Sequence, residues 1–81
     1  MTAGSDIAGL LQRAADALAE AGIEGAAREA RLLLQHVAAI PIATQIAFSE
    51  RLVEAPMVAA FDLALARRVQ REPLSHILGM R

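Results

Sequence analysis

The chain has 81 residues and a formal net charge of −1, from eight basic groups, all arginine, against nine acids. That length holds one small domain and excludes a self-contained Rossmann-type enzyme, a barrel or a two-lobed catalyst. With no Cys, no Trp, no Tyr and two Phe, it has no thiolate chemistry, no disulfide and no Cys-based zinc site, and too few aromatic faces to stack bases. The near-neutral balance lacks the attraction to phosphate on which nucleic-acid binders depend, so no nucleic-acid partner is expected. Nineteen Ala and eleven Leu lead the apolar residues, which favours helices over strands. Nothing alternates with period two for five residues, so no strand is predicted.

Ser5 reads as the N-cap of a first helix, with Asp6 adding negative charge to its first turn. Ile7, Leu10, Leu11, Ala14 and Leu18 follow at helical spacing, with Asp6, Arg13, Asp16 and Glu20 on the other side. That pattern predicts an amphipathic helix of about four turns. Gly22 reads as a left-handed C-cap glycine that lets Ile23 pack back on the helix end. A second helix is predicted over about residues 25–39, with Ala30, Leu33, Leu34 and Val37 as its apolar stripe and Arg28, Arg31 and Gln35 as its wet face. Pro41 suits the first turn of a short third helix, to about residue 48, carrying Ile42, Ile46 and Phe48. Residues 49–54 (SERLVE) read as a charged loop with Leu52 and Val53 tucked inward. Pro56 suits the start of a fourth helix, with Val58, Phe61, Leu65 and Val69 at 3–4 spacing and Arg67, Arg68 and Arg71 at its end. Glu72 precedes Pro73, which stops that helix. Residues 74–78 (LSHIL) form one more turn, closed by Gly79. The fold class is all-α: a small bundle of four to five helices joined by short loops, read as a monomer.

The uncharged run over residues 32–49 approaches the length of a membrane span. Pro41 breaks it, and Gln35, His36, Thr44 and Gln45 interrupt its apolar character, so two helices of a soluble core are predicted and no membrane partner. The first five residues carry no positive charge, so no secretory signal is read, and the expected compartment is the cytoplasm.

No catalytic, cofactor-binding or metal-ligating residue is expected. Ser75 and His76 are adjacent, and neighbours on a helix do not face each other. His36 borders the apolar stripe and reads as a packed or half-exposed side chain. His36 with His76 would lack two further metal ligands, and the five glycines are scattered as caps and termini rather than gathered in a phosphate loop. The arginine cluster has two readings. It can stabilise a helix end, with Arg68 paired to Glu72 at i, i+4. It can also meet an acidic surface on a partner, with Arg67 and Arg71, four apart on one face, as the outward pair.

The C-terminal segment Arg67-Arg68-Val69-Gln70-Arg71-Glu72-Pro73-Leu74-Ser75-His76-Ile77-Leu78-Gly79 resembles the end of the N-terminal domain of the HemK/PrmC family. These are protein-(glutamine) methyltransferases acting on peptide chain release factors. There the segment reads approximately Arg-Arg-x-x-Gly-Glu-Pro-Leu-Ala-Tyr/His-Ile-Leu-Gly and leads into Glu-Phe-x-Gly and the catalytic domain. Ala21-Gly22-Ile23-Glu24 is similar to the family's first interhelical turn. Glu29-Ala30-Arg31-Leu32-Leu33-Leu34-Gln35-His36-Val37 is similar to its second helix, Asp-Ala-(Glu/Arg)-Leu-Leu-Leu-x-His. The chain departs from the pattern at Arg71, where Gly is usual and the helix is then expected to end differently, and at Glu29, which replaces Asp.

The resemblance implies a single helical N-terminal domain over residues 1–81, with the methyltransferase domain expected after residue 81 absent. It implies a role in positioning class 1 release factors for S-adenosylmethionine-dependent methylation of the Gln in their Gly-Gly-Gln motif. The methyl donor belongs to the parent protein and no cofactor to this fragment. The substrate motif Asn-Pro-Pro-Tyr belongs to the second domain, and this chain contains no Asn. Implied partners are the release factor and the catalytic domain, with Arg67, Arg71 and His76 as candidate contacts. A different class of reading is a free-standing helical interaction module pairing through an apolar face, prompted by the Ala content and Met57. A helix-turn-helix DNA binder, prompted by the arginines, is opposed by the charge balance and the absence of Lys.

Overall fold

The computed structural model describes residues 5–79. Five helices form where apolar residues recur at helical spacing: α1 (Ile7–Glu20), α2 (Ala26–Ala38), α3 (Ile42–Ala47), α4 (Ala55–Val69) and α5 (Leu74–Ile77). The all-α bundle read from the sequence is the architecture found. Helices α1, α2 and α4 pack against one another. They bury Ile7, Leu10, Ala14 and Leu18 from the first, Ala30, Leu33 and Leu34 from the second, and Phe61, Ala64 and Leu65 from the third. Ile77 of α5 closes one end of this core.

The start of α1 differs from expectation. The N-cap is Asp6 rather than Ser5: its Oδ1 accepts from the Gly9 N–H at 2.7 Å. Ser5 lies one residue outside, in a two-residue strand β1 (Ser5–Asp6), antiparallel to β2 (Leu52–Val53) with Ser5 opposite Val53. No strand was expected, and a two-residue ribbon is too short to show a period. It has a clear purpose. The Ile7 N–H donates to the Arg51 carbonyl at 3.0 Å and the Ala8 N–H to that of Ser49 at 2.9 Å. Residues 49–53 thus satisfy first-turn donors that a helix start otherwise leaves unpaired. Adjacent strand side chains point to opposite faces, so Val53 is buried while Leu52 stands outside, 67 % exposed. Only one of the two tucks inward.

The end of α1 is as read. Gly22 has φ 79°, its N–H reaches the Ala19 carbonyl, and the Ile23 N–H reaches that of Leu18 at 3.0 Å. This is a Schellman closure, and Ile23 is buried against the helix it leaves.

Helix α3 reverses the expected pattern. Gln45 is fully buried, whereas Ile46 and Phe48 are 64 % and 62 % exposed. The reason is hydrogen bonding. Gln45 Nε2 donates to the Arg31 carbonyl at 3.1 Å and to the Ile40 carbonyl at 3.0 Å. Ile40 follows the end of α2, where carbonyls lack helical partners, and an unpaired buried carbonyl costs on the order of 1–3 kcal/mol. A helix of six residues has under two turns, too few for an apolar stripe to outweigh that.

Leu33 is fully buried at the centre of the three-helix core. Leu33→Ala is expected to lower unfolding stability by about 2–5 kcal/mol, measured by urea denaturation. A loss below about 1 kcal/mol, the size of a surface substitution, would place Leu33 outside the core.

Candidate functional site

The arginine-rich end of α4 is built by the turn that stops the helix. The Arg71 N–H donates to the Arg68 carbonyl at 2.9 Å and the Glu72 N–H to that of Arg67 at 3.1 Å. This is a second Schellman closure, with Arg71 at φ 74° in the left-handed position. The helix therefore ends as a glycine there would end it, against the expectation drawn from Arg71. A non-glycine residue in that conformation carries about 1–2 kcal/mol of strain. Arg71 Nη2 donates to the Ala21 carbonyl at 2.6 Å, at the C-cap of α1.

The other two arginines point elsewhere. The turn folds Glu72 back over Arg67, whose Nε donates to Glu72 Oε1 at 2.9 Å and whose Nη2 reaches Oε2. Arg68 does not pair with the Glu72 carboxylate. Its Nη1 takes the Glu72 carbonyl at 3.1 Å, and its Nε and Nη2 take both carboxylate oxygens of Glu29 at 2.7 and 3.2 Å. That pair is largely buried, with side chains 18 % and 12 % exposed. A fourth arginine, Arg13, bridges α1 to Asp62 of α4 at 2.7 Å on the surface, where such a pair contributes at most about 1 kcal/mol.

These contacts set the electrostatics. The hydrogen bonds from Arg67 hold the Glu72 carboxyl below its ordinary range, opposed by partial burial and aided by the charges of Arg67 and His76. The guanidinium pKa values of Arg67 and Arg68 are raised, chiefly by hydrogen bonding to Glu72 and Glu29. Of the candidate contact residues, Arg67 and Arg71 are exposed at the end of α4 yet bonded within the chain. His76 is exposed on α5. Arg67 and Arg71 do not share one helix face, because Arg71 lies past the helix and turns toward α1. Their positive charge is met by internal carboxylate and carbonyl oxygens, which suits holding a shape more than attracting an anion.

Sequence reading missed Glu29 as the partner of Arg68, because no local spacing rule links residues 39 apart. The only hint was a carboxylate beside the apolar Ala30 and one turn before Leu33. Among the described residues, no hydrogen bond at this end of the bundle joins a nucleophile to a base. Among the described residues, no group of three or more His, Cys, Asp or Glu could hold a metal, and no helix is long and apolar enough to cross a membrane.

A family described as the PrmC N-terminal domain matches residues 9–79, from the first turn of α1 to the turn after α5. The chain is similar to a release factor glutamine methyltransferase of Vibrio cholerae, 37 % identical over 88 % of this chain and 25 % of that protein. It is 40 % identical to one of Rhodospirillum rubrum, over 89 % of this chain and 22 % of that protein. It is 41 % identical to a bifunctional methyltransferase of Rickettsia prowazekii, over 89 % of this chain and 14 % of that protein. The chain thus spans a quarter or less of the length of these relatives. No solved structure matches it.

A carboxyl whose folded pKa is lowered stabilises the fold above its unfolded pKa, about 4.3 for Glu, and loses that contribution as pH falls through the folded value. The stability gap between the native chain and Glu72→Gln is therefore expected to be full at neutral pH and to close in strong acid. Urea denaturation across that range checks it. A gap that persists unchanged in strong acid would show that Glu72 does not act through its charge.

Proposed function

The chain belongs to the PrmC N-terminal domain family, and from that premise we propose that it is the substrate-recognition domain of a peptide chain release factor glutamine methyltransferase. In this reading it helps position a class 1 release factor while a catalytic domain, lying outside these residues, methylates the Gln of the Gly-Gly-Gln motif. S-adenosylmethionine is the methyl donor of that larger protein, and the helical domain itself is non-catalytic. The observation that carries the reading is the continuous family match over residues 9–79, together with its similarity to release factor glutamine methyltransferases.

The physical case is one of orientation. A folded protein substrate needs a second contact to fix its geometry at the reacting atom, and positioning supplies a large part of the lowering of a barrier. A helical module whose helix ends are bonded to one another is suited to that work, because little must order on binding. Arg67, Arg71 and His76, at the exposed end where α4 passes into α5, are the proposed contacts with the release factor or the catalytic domain. The domain acts as a monomer in the cytoplasm.

A second reading is a free-standing helical interaction module. It is favoured by Ile46, Phe48, Leu52 and Met57, four of the five exposed large apolar side chains of the described residues, all within one short stretch. The two readings separate by binding and mass. Calorimetric titration of the 81-residue chain with a class 1 release factor is expected to give saturable 1:1 binding, with the free chain monomeric by sedimentation. No binding up to about 1 mM, where association is worth only about 4 kcal/mol, would contradict the adaptor. A stable dimer at micromolar concentration would favour the second reading.

A further inference from the structure

We propose that the groove between α1, α2 and α3 is a docking site for an extended polypeptide segment of a partner protein, held by one main-chain amide and one aliphatic side chain. The groove has a volume of about 390 Å³, and its walls include Leu11, Ala15, Ala27, Arg31, Gln45 and Ile46. Two buried polar atoms of those walls have no hydrogen-bond partner: Arg31 Nη1 and Gln45 Oε1. Such orphans are rare in folded proteins and each costs on the order of 1–3 kcal/mol.

The chemistry of the two atoms is fixed. Gln45 is fully buried, and its Nε2 donates to the carbonyls of Arg31 and Ile40. Turning the amide over would set Oε1 against two carbonyl oxygens, so Oε1 must remain the unpaired acceptor. Arg31 can only donate, and it forms no ion pair among the described residues. The wall therefore presents one donor and one acceptor. A peptide group complements both, its carbonyl accepting from Arg31 and its N–H donating to Gln45. A carboxylate would satisfy Arg31 and be repelled by Gln45 Oε1. An ammonium would satisfy Gln45 and be repelled by Arg31.

Both atoms are buried, in residues that line the groove. Arg31 is half-buried, and in this proposal an arriving segment reaches them by displacing its long stem. The small side chains of Ala15 and Ala27 leave room beside them for an aliphatic group. Exposed Ile46 stands at the lip, and exposed Phe48 follows it along the chain. Apolar side chains grouped on a surface beside a polar pocket mark protein contacts rather than bulk solvent faces.

The inference rests on the reading of the chain as a protein-binding adaptor, and it assigns the surface used. Its test does not involve the release factor. The isotopically labelled chain is titrated with N-acetyl-leucine N-methylamide and, separately, with N-acetyl-leucine as its carboxylate, and followed by amide NMR. Saturable shifts are expected at the Gln45 side-chain amide and at Ala15, Ala27 and Ile46, with the carboxylate about ten-fold weaker. Arg31→Met is expected to weaken the diamide about ten-fold, as loss of a charge-assisted hydrogen bond does. Ala27→Leu, at an exposed helix position, fills the groove and is expected to abolish the shifts with the fold intact. No saturable shift, equal binding of the carboxylate, or shifts that survive Ala27→Leu would each overturn the proposal. A chain that binds release factor but not the diamide loses this groove alone. One that binds the diamide but not release factor loses the adaptor reading alone.

Discussion

Glu29 and Arg68 join the start of α2 to the end of α4, two parts of the chain with no local reason to meet. The two-pronged pair sits largely out of water, and its geometry leaves α2 and α4 little freedom to slide or rotate past each other. Removing two charges from solvent is costly, so the pair adds little net stability compared with well-packed apolar residues. Its value is in register. With α4 held there, the Schellman turn after it brings Glu72 onto Arg67 and Arg71 onto the last carbonyl of α1. The C-terminal ends of two helices and the start of a third are thus tied at one corner. The three segments that carry the family resemblance, residues 21–24, 29–37 and 67–79, meet at that corner.

Much of the fold was legible because several local signals agreed. Gly22 followed by an apolar residue specifies a left-handed closure, and the stripes of α1 and α2 are long enough to fix their buried faces. The failures share a cause. Where an element is only a few residues long, its pattern carries too little information, and partners distant in sequence decide. Gln45 turns inward in α3 because two carbonyls need its amide, and Leu52 turns outward because Val53 takes the inner face of a two-residue strand. Asp6 rather than Ser5 caps α1 because residues 49–53 pair with Ser5 and with the first helical N–H groups.

The arginine cluster shows the same limit at the candidate site. Its helix position favoured both a dipole role and an outward contact, and spacing alone suggested Glu72 as the partner of Arg68. The left-handed turn at Arg71 rearranges all three side chains, and no spacing rule anticipates it in a non-glycine residue. The corner that results is preorganised and nearly charge-balanced, while the larger exposed apolar side chains gather in the stretch from Ile46 to Met57. Shape and exposed apolar side chains, more than a field of positive charge, characterise this surface.

The most direct measurement is a double-mutant cycle on Glu29→Gln and Arg68→Met, read as unfolding free energy. If the pair sets the register of α2 and α4, each single change leaves an uncompensated buried group and costs at least about 2 kcal/mol, toward the lower side of broken buried pairs because some solvent reaches both. The double change then costs clearly less than the sum, with a coupling of about 1–3 kcal/mol. Additivity within about 0.5 kcal/mol would show that the two side chains act independently and that the corner is held by apolar packing alone.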